Sequence, residues 1–248
     1  MADPIDHGGL RPDRILSTLE QLHARISARF PDSGLSRVCL TLVDTARWSI
    51  ADASALARPN WLWRAAVAAV VVLGALAQFW ALRLLNVGRL STLDPTSLLQ
   101  GLEAAVNLLI LFGGAVWFLL TIEERLKRRR ALDAFYRLRS LAHIIDMHQL
   151  TKDPTTVLRG GHPTAASPKR SMTRFELTRY LDYCAEMLAL IGKLAALYAE
   201  RMRDGVVIDA VNDIENFTSG LGRKIWQKIT IIGALEDEVD ARAPDRSG

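Results

Sequence analysis

Residues 65–82 read AAVAAVVVLGALAQFWAL, and residues 104–122 read AAVNLLILFGGAVWFLLTI. A single amide interrupts each run, Gln78 in the first and Asn107 in the second. At a helical rise of about 1.5 Å per residue, each run comes close to the ~30 Å hydrocarbon thickness of a bilayer. A surface helix of a water-soluble domain carries a polar face, and these runs carry none. They read as two membrane spans, at about 63–84 and 98–122. Trp61, Trp63 and Trp80 flank the first span and Trp117 lies towards the far end of the second. Indole rings favour the half-wet interface.

The link between the spans holds Asn86 and Gly88, which suit a helix end, then Asp94 and Pro95, which suit a cap and a first helical position. The second span runs straight into EERLKRRR. Lys127, Arg128, Arg129 and Arg130 form the densest basic run in the chain, and the positive-inside rule makes that end cytoplasmic. An even number of spans brings residues 1–60 to the same side. Arg58 and Arg64 agree with this orientation, whereas Arg83 and Arg89 in the outer link oppose it. The same basic run offers a nucleic-acid contact, but its position against a span favours anionic lipid headgroups. Nucleic acid is not the expected partner.

The rest of the composition fits this picture. Half of the 248 residues are hydrophobic, and Lys+Arg 31 against Asp+Glu 27 leave a net charge of +4. The start of the chain, MADPIDHGGLRPD, lacks the basic and apolar regions of a secretory signal. Cys39 and Cys184 are far apart and outside any CxxC motif, as free thiols in a reducing compartment are. The expected location is the bacterial inner membrane, with both termini cytoplasmic.

Outside the spans no segment alternates as a strand does, so the expected fold is all-α. Ile15, Leu19, Leu22 and Ile26 form one helical stripe. Pro31-Asp32-Ser33-Gly34 breaks the chain, and Leu35, Val38, Leu42 and Ala46 form another. Thr173 and Glu176 make a capping box. After it, Leu177, Leu181, Cys184, Leu188, Ile191, Ala195, Tyr198 and Met202 step by fours and threes as a heptad seam. Asp204-Gly205 is expected to stop that helix through a left-handed glycine. A second seam runs from Val207 through Val211, Ile214, Thr218, Leu221, Ile225, Ile229, Ile232 and Leu235 to Val239. So short a link makes the two helices antiparallel. Gly220 and Gly222 are candidates for close backbone approach.

These readings give three parts: N-terminal cytoplasmic helices at 1–60, a transmembrane hairpin at 61–122, and a cytoplasmic bundle at 123–248. The bundle is an antiparallel coiled coil formed with both ends of the chain. Residues 151–171, rich in Pro, Gly, Ser and Thr, are expected to be a flexible loop.

One stretch has the look of chemistry: HIIDMHQLTKDP, residues 143–154. The polar cluster is His143, Asp146, His148, Gln149, Lys152 and Asp153. On a straight helix Arg139, His143 and Asp146 share a strip, while His148 lies about 140° from His143 and joins Leu141 and Ile145 on a core stripe. No single segment of this kind can hold a metal alone, because zinc needs three or four converging ligands. The cluster therefore reads as a helix end with a buried histidine, and the alternative is a site completed by other helices. No nucleophile elbow, HExxH, Walker or dinucleotide motif occurs, so no catalytic residue, metal or cofactor is assigned.

Three functions remain: a membrane-anchored interaction or signalling module that self-associates or binds a cytoplasmic protein; an oligomeric pore or membrane-disrupting effector; and a membrane-tethered, metal-dependent hydrolase using the 143–153 cluster. The layout of two spans with cytoplasmic helices resembles the two-transmembrane effectors of bacterial defence systems, a likeness of architecture covering the hairpin and its flanking helices. It implies membrane disruption as the activity. Within the hairpin, Gln78 and Asn107 fall at equal depth and are expected to bond, with Arg83 and Glu103 pairing one step further out. Gly74 and Gly114 are expected to let the two backbones approach.

Overall fold

A computed structural model describes residues 9–58, 60–84, 95–150, 152 and 172–242. These residues are helical, with no strand among them. The helices are α1 (Pro12–Arg29), α2 (Gly34–Leu56), α3 (Trp61–Leu84), α4 (Pro95–Leu150), α5 (Arg174–Arg201) and α6 (Gly205–Arg242). The chain forms two compact units, one of Met1–Ala57 with Arg130–Gly248 and the other of Arg58–Arg129. Helix α4 contributes residues to both. Asn86, Gly88, Asp94, Asp153 and nearly all of the 151–171 segment lie outside the described residues.

The first unit is organised on α5. Its start is fixed by the capping box. The Thr173 hydroxyl accepts from the Glu176 N–H at 3.2 Å, and the Glu176 carboxylate accepts from the Thr173 N–H at 2.7 Å. Every position of the seam from Leu177 to Met202 is buried. So is a second stripe of Tyr180, Tyr183, Met187, Leu190, Leu194 and Leu197. Two buried stripes let one helix hold neighbours on two sides. Helix α6 lies along α5 most extensively, and α1 and α2 pack on it as well. Phe30, just past α1, meets Tyr180 and Tyr183 edge-on at 5.6 and 6.4 Å between centroids.

Helix α1 opens with Pro12 in its first turn, where a missing N–H costs nothing, and buries Ile15, Leu19, Leu22 and Ile26. The break before α2 has two devices. Asp32 takes a left-handed backbone with φ 56°, and Ser33 accepts the Ser36 N–H at 3.1 Å. At the other end of the chain the α5–α6 turn departs from expectation. Helix α5 ends at Arg201, with Met202 extended beyond it, and Gly205 is already the first residue of α6. The turn is made by Asp204, whose carboxylate accepts from the Val206 and Val207 N–H groups at 3.0 and 3.2 Å. Asp204 caps the next helix, so no left-handed glycine is needed. Nor do Gly220 and Gly222 mark a close approach, since a side chain at either would meet no backbone. Between α5 and α6 the close glycine is Gly192 on α5, where a Cβ would stand 3.3 Å from Thr218 Oγ1 on α6.

The second unit contains α3 and the first part of α4. Helix α3 has 24 residues, a length of about 36 Å. Asn60 opens it, its side chain accepting the Trp63 N–H at 3.3 Å. Two helical stretches, one ending at Trp80 and one beginning at Val106, are long and apolar enough to cross a membrane by length and composition. Core helices of soluble proteins meet the same criterion when mostly buried. Here only 6% and 0% of the apolar windows are buried.

Core truncation should separate α5 from the outer faces of its unit. Leu188→Ala should cost about 2–5 kcal/mol of stability. Leu40→Ala, on an exposed face of α2, should stay within about 0.5 kcal/mol. Denaturant unfolding of both variants measures the difference.

Candidate functional site

The polar cluster sits on the last turns of α4. The stripe of α4 that enters the first unit is Ala131, Ala134, Phe135, Leu138, Leu141, Ala142 and Ile145, with Leu141 and Ile145 buried as expected. Continued by four residues it reaches Gln149, which is 2% exposed and is the buried polar member of the cluster. His148, expected on that stripe, is half-buried at its edge, and His143 is exposed. A helix advances 100° per residue, so a stripe that follows Ile145 by four cannot also centre on His148.

A short hydrogen-bonded chain runs through Gln149. Its Nε2 donates to Asp146 at 2.5 Å. Its Oε1 accepts from Lys228 Nζ of α6 at 2.5 Å, and the same ammonium donates to the Gln149 backbone carbonyl at 2.9 Å. That carbonyl belongs to the last turn of α4, where no further helical N–H is available, so Lys228 caps it and meets the negative end of the helix dipole. The Lys152 N–H also donates to this carbonyl, at 3.1 Å, and the Lys152 ammonium lies 5.2 Å above the Tyr180 ring.

The expected polar strip of Arg139, His143 and Asp146 is divided. Arg139 and His143 both lie on Phe217 of α6, the guanidinium 5.5 Å and the imidazole 4.7 Å from the ring centre. Asp146 turns to Gln149 instead. His148 packs against the start of α2, where a Cβ on Gly34 would come within 2.6 Å of its Cε1. Burial lowers the His148 pKa below its usual value, and the charges of Lys152 and Arg37 act in the same direction.

The two thiols of this unit are not poised as nucleophiles. Cys184 and Cys39 are buried free thiols, and burial pushes each up to about 12. Among the described residues no three His, Cys, Asp or Glu side chains gather as a metal site would require. The arrangement can hold a helix end in place and pair the polar groups buried beside it.

Lys228 is the member that the sequence reading passed over. It lies three residues after Ile225 and four before Ile232, half-buried beside the apolar stripe of α6, a spacing that hints at a role in packing but does not name its acceptors. In the second unit, Gln78 is half-buried and Asn107 exposed, with no hydrogen bond between them. Arg83 lies over Phe79 of its own helix, 5.2 Å from the ring centre, rather than against Glu103. A Cβ on Gly74 would run into the Phe112 ring, whereas Gly114 faces open space. Phe112 thus fills the space where paired glycines were expected to meet. Lys127 donates to Glu123 at 2.8 Å and to the Arg58 carbonyl at 3.1 Å. Arg129 and Arg130 are exposed, and Arg128 is half-buried and partnered. Compared with protein-family models, curated proteins and solved structures, the chain matches none.

Two measurements test this site. Lys228→Met leaves the Gln149 carbonyl and amide oxygen without their ammonium and should cost about 1–3 kcal/mol in thermal unfolding. His148 gives a pH signature. Its depressed pKa in the folded state means that the unfolded chain takes up the proton first as pH falls below about 6.5. Stability should therefore be full above that value and fall as pH is lowered through the folded pKa. His148→Gln should flatten this part of the melting-temperature profile, and an unaltered profile would show that another group carries it.

Proposed function

We propose that the protein is a membrane-anchored helical module. Its hairpin lies in the bilayer, and its α1–α2–α5–α6 bundle is a cytoplasmic interaction or signalling surface that self-associates or holds a protein partner. One observation carries the reading: most apolar side chains of α3 and early α4 are unburied. Leu62 is 85% exposed, Leu73 66% and Leu111 71%, and no charged residue interrupts 65–82 or 104–122. That much contiguous apolar surface is not stable in water, whereas hydrocarbon solvates it without cost. Helices are also the form in which a backbone crosses lipid, because their amides are bonded internally.

The bundle supports an interaction role rather than a catalytic one. Its buried Gln149 closes a helix end, Thr218 bonds back to the Ile214 carbonyl of its own helix, and its thiols are buried. Lys127–Arg130, beside the hairpin, support a cytoplasmic face for both termini and contact with anionic headgroups, as the inner membrane of a bacterium offers.

Alkaline carbonate extraction of membranes tests the anchor: the full chain should stay in the pellet, and release into the supernatant would overturn the reading. For orientation, a reporter enzyme active only in the periplasm, fused to either terminus, should give no activity. A strong signal from the C-terminal fusion would reverse the topology.

A further inference from the structure

A cleft of about 510 Å³ opens between α3 and α4 within the second unit, at the end of the hairpin that carries Asn60 and Lys127. Its two ends differ in chemistry. One wall is apolar, from Val67, Val71, Val72 and Leu120, and the rim is charged, from Arg64, Glu123, Glu124 and Lys127. A pocket that is oily at one end and ionic at the other, beside apolar helices, matches a molecule with the same division.

The rim shows which molecule. Glu123 is spoken for: it pairs with Lys127 at 2.8 Å and accepts the Asn60 N–H at 3.2 Å. Lys127 in turn also donates to the Arg58 carbonyl. Arg64 is different. Its Nε stands 3.8 Å from Glu123, beyond hydrogen-bond distance, and 60% of its side chain is exposed. Its two terminal amino groups, the pair suited to grip a phosphate, are left over. Glu124 is exposed and makes no hydrogen bond or ion pair among the described residues. After internal pairing the rim therefore offers one guanidinium and one carboxylate. An anionic headgroup would satisfy the first and be repelled by the second. A headgroup with a phosphate and an adjacent ammonium satisfies both.

We propose that this cleft is a binding site for a zwitterionic phospholipid with a primary ammonium, such as phosphatidylethanolamine. Arg64 holds its phosphate, Glu124 holds its ammonium, and an acyl chain lies along Val67, Val71 and Leu120. A primary ammonium donates hydrogen bonds to a carboxylate, which the trimethylated ammonium of phosphatidylcholine cannot do. The proposal rests on the membrane reading given above and adds headgroup selection at a named site.

The test uses the full chain purified in detergent, with thermal unfolding followed as single lipids are added and retained lipid counted by native mass spectrometry. Phosphatidylethanolamine near saturation should raise the melting temperature by about 5 °C, with phosphatidylcholine and phosphatidylglycerol giving clearly less. Arg64→Gln and Glu124→Gln should each remove most of that rise. Both positions are exposed, so the lipid-free melting temperature should not move, and it reports on folding. Glu124→Gln should also abolish the preference for ethanolamine over choline among retained lipids. Equal shifts from all three lipids, a larger shift from phosphatidylglycerol, or the full shift from inorganic phosphate alone would overturn the proposal. So would retention of the ethanolamine preference in Glu124→Gln. Loss of headgroup preference in a chain that still resists carbonate extraction would sink this site alone, whereas carbonate release would sink the membrane reading itself.

Discussion

The burial of α5 on two sides is the condition on which the rest of the first unit depends. Half of its residues are buried, and all of these but Gly192 fall into two stripes of alternating threes and fours. Burying a large apolar side chain contributes about 1.5–3 kcal/mol, so a helix with two such stripes gives more than any of its neighbours. Helices α1 and α2 each have one stripe, and neither could stay helical in water on propensity alone. They are held because α5 offers them a face that α6 does not use. Surface ion pairs such as Arg25–Glu186, between α1 and α5, add direction rather than much energy, their side chains being 47% and 30% exposed.

A close fit between two long helices leaves little room for the ends of others, and the last turn of α4 shows how the chain resolves this. A carbonyl at a helix end needs a donor, and beside a packed core water is a poor source. Lys228 reaches that carbonyl from its half-buried position on α6, with its ammonium at the acceptors. The charge then meets a helix C-terminus, two oxygens of one glutamine and, through that glutamine, Asp146. The cluster of polar residues that looked like chemistry is in this sense the solution to a packing problem.

Much of this was legible in advance where one helix decides its own fate. The stripes of α1 and α2, the break at Asp32-Ser33 and the capping box at Thr173 depend on side chains within a turn or two, and spacing reveals them. The seam from Leu177 to Met202 was readable as well. Its companion from Tyr180 to Leu197 has equally regular spacing, but a single seam already satisfied a two-helix picture. Details that depend on a second helix were harder. Whether Asp204 or Gly205 makes a turn depends on which residue ends up with unbonded amides beside it. Whether His148 or Gln149 faces the core depends on a rotation of α4 by 100°, within the width of an apolar stripe. Lys228 was hidden because a lysine is usually solvated, and only its acceptors on α4 show otherwise.

The hairpin follows a different logic, on the proposed reading, because lipid removes the hydrophobic reason for helices to associate. What remains is packing and polar contact. An amide bond between spans would contribute only about 0.6 kcal/mol on average, too little to dictate geometry against a poor fit. The chain relies instead on steric fit at Gly74, where the absence of a side chain admits the ring of Phe112. At the basic end Glu123 joins the start of α3, through the Asn60 N–H, to Lys127 on α4. That cluster sits where the apolar runs give way to charge, so its ions keep contact with water and avoid the full penalty of burial. One contact of shape and one of charge, at different depths, fix the separation of two helices more firmly than two amides at a single depth would. They also leave Gln78 and Asn107 without each other and therefore open to partners outside the hairpin.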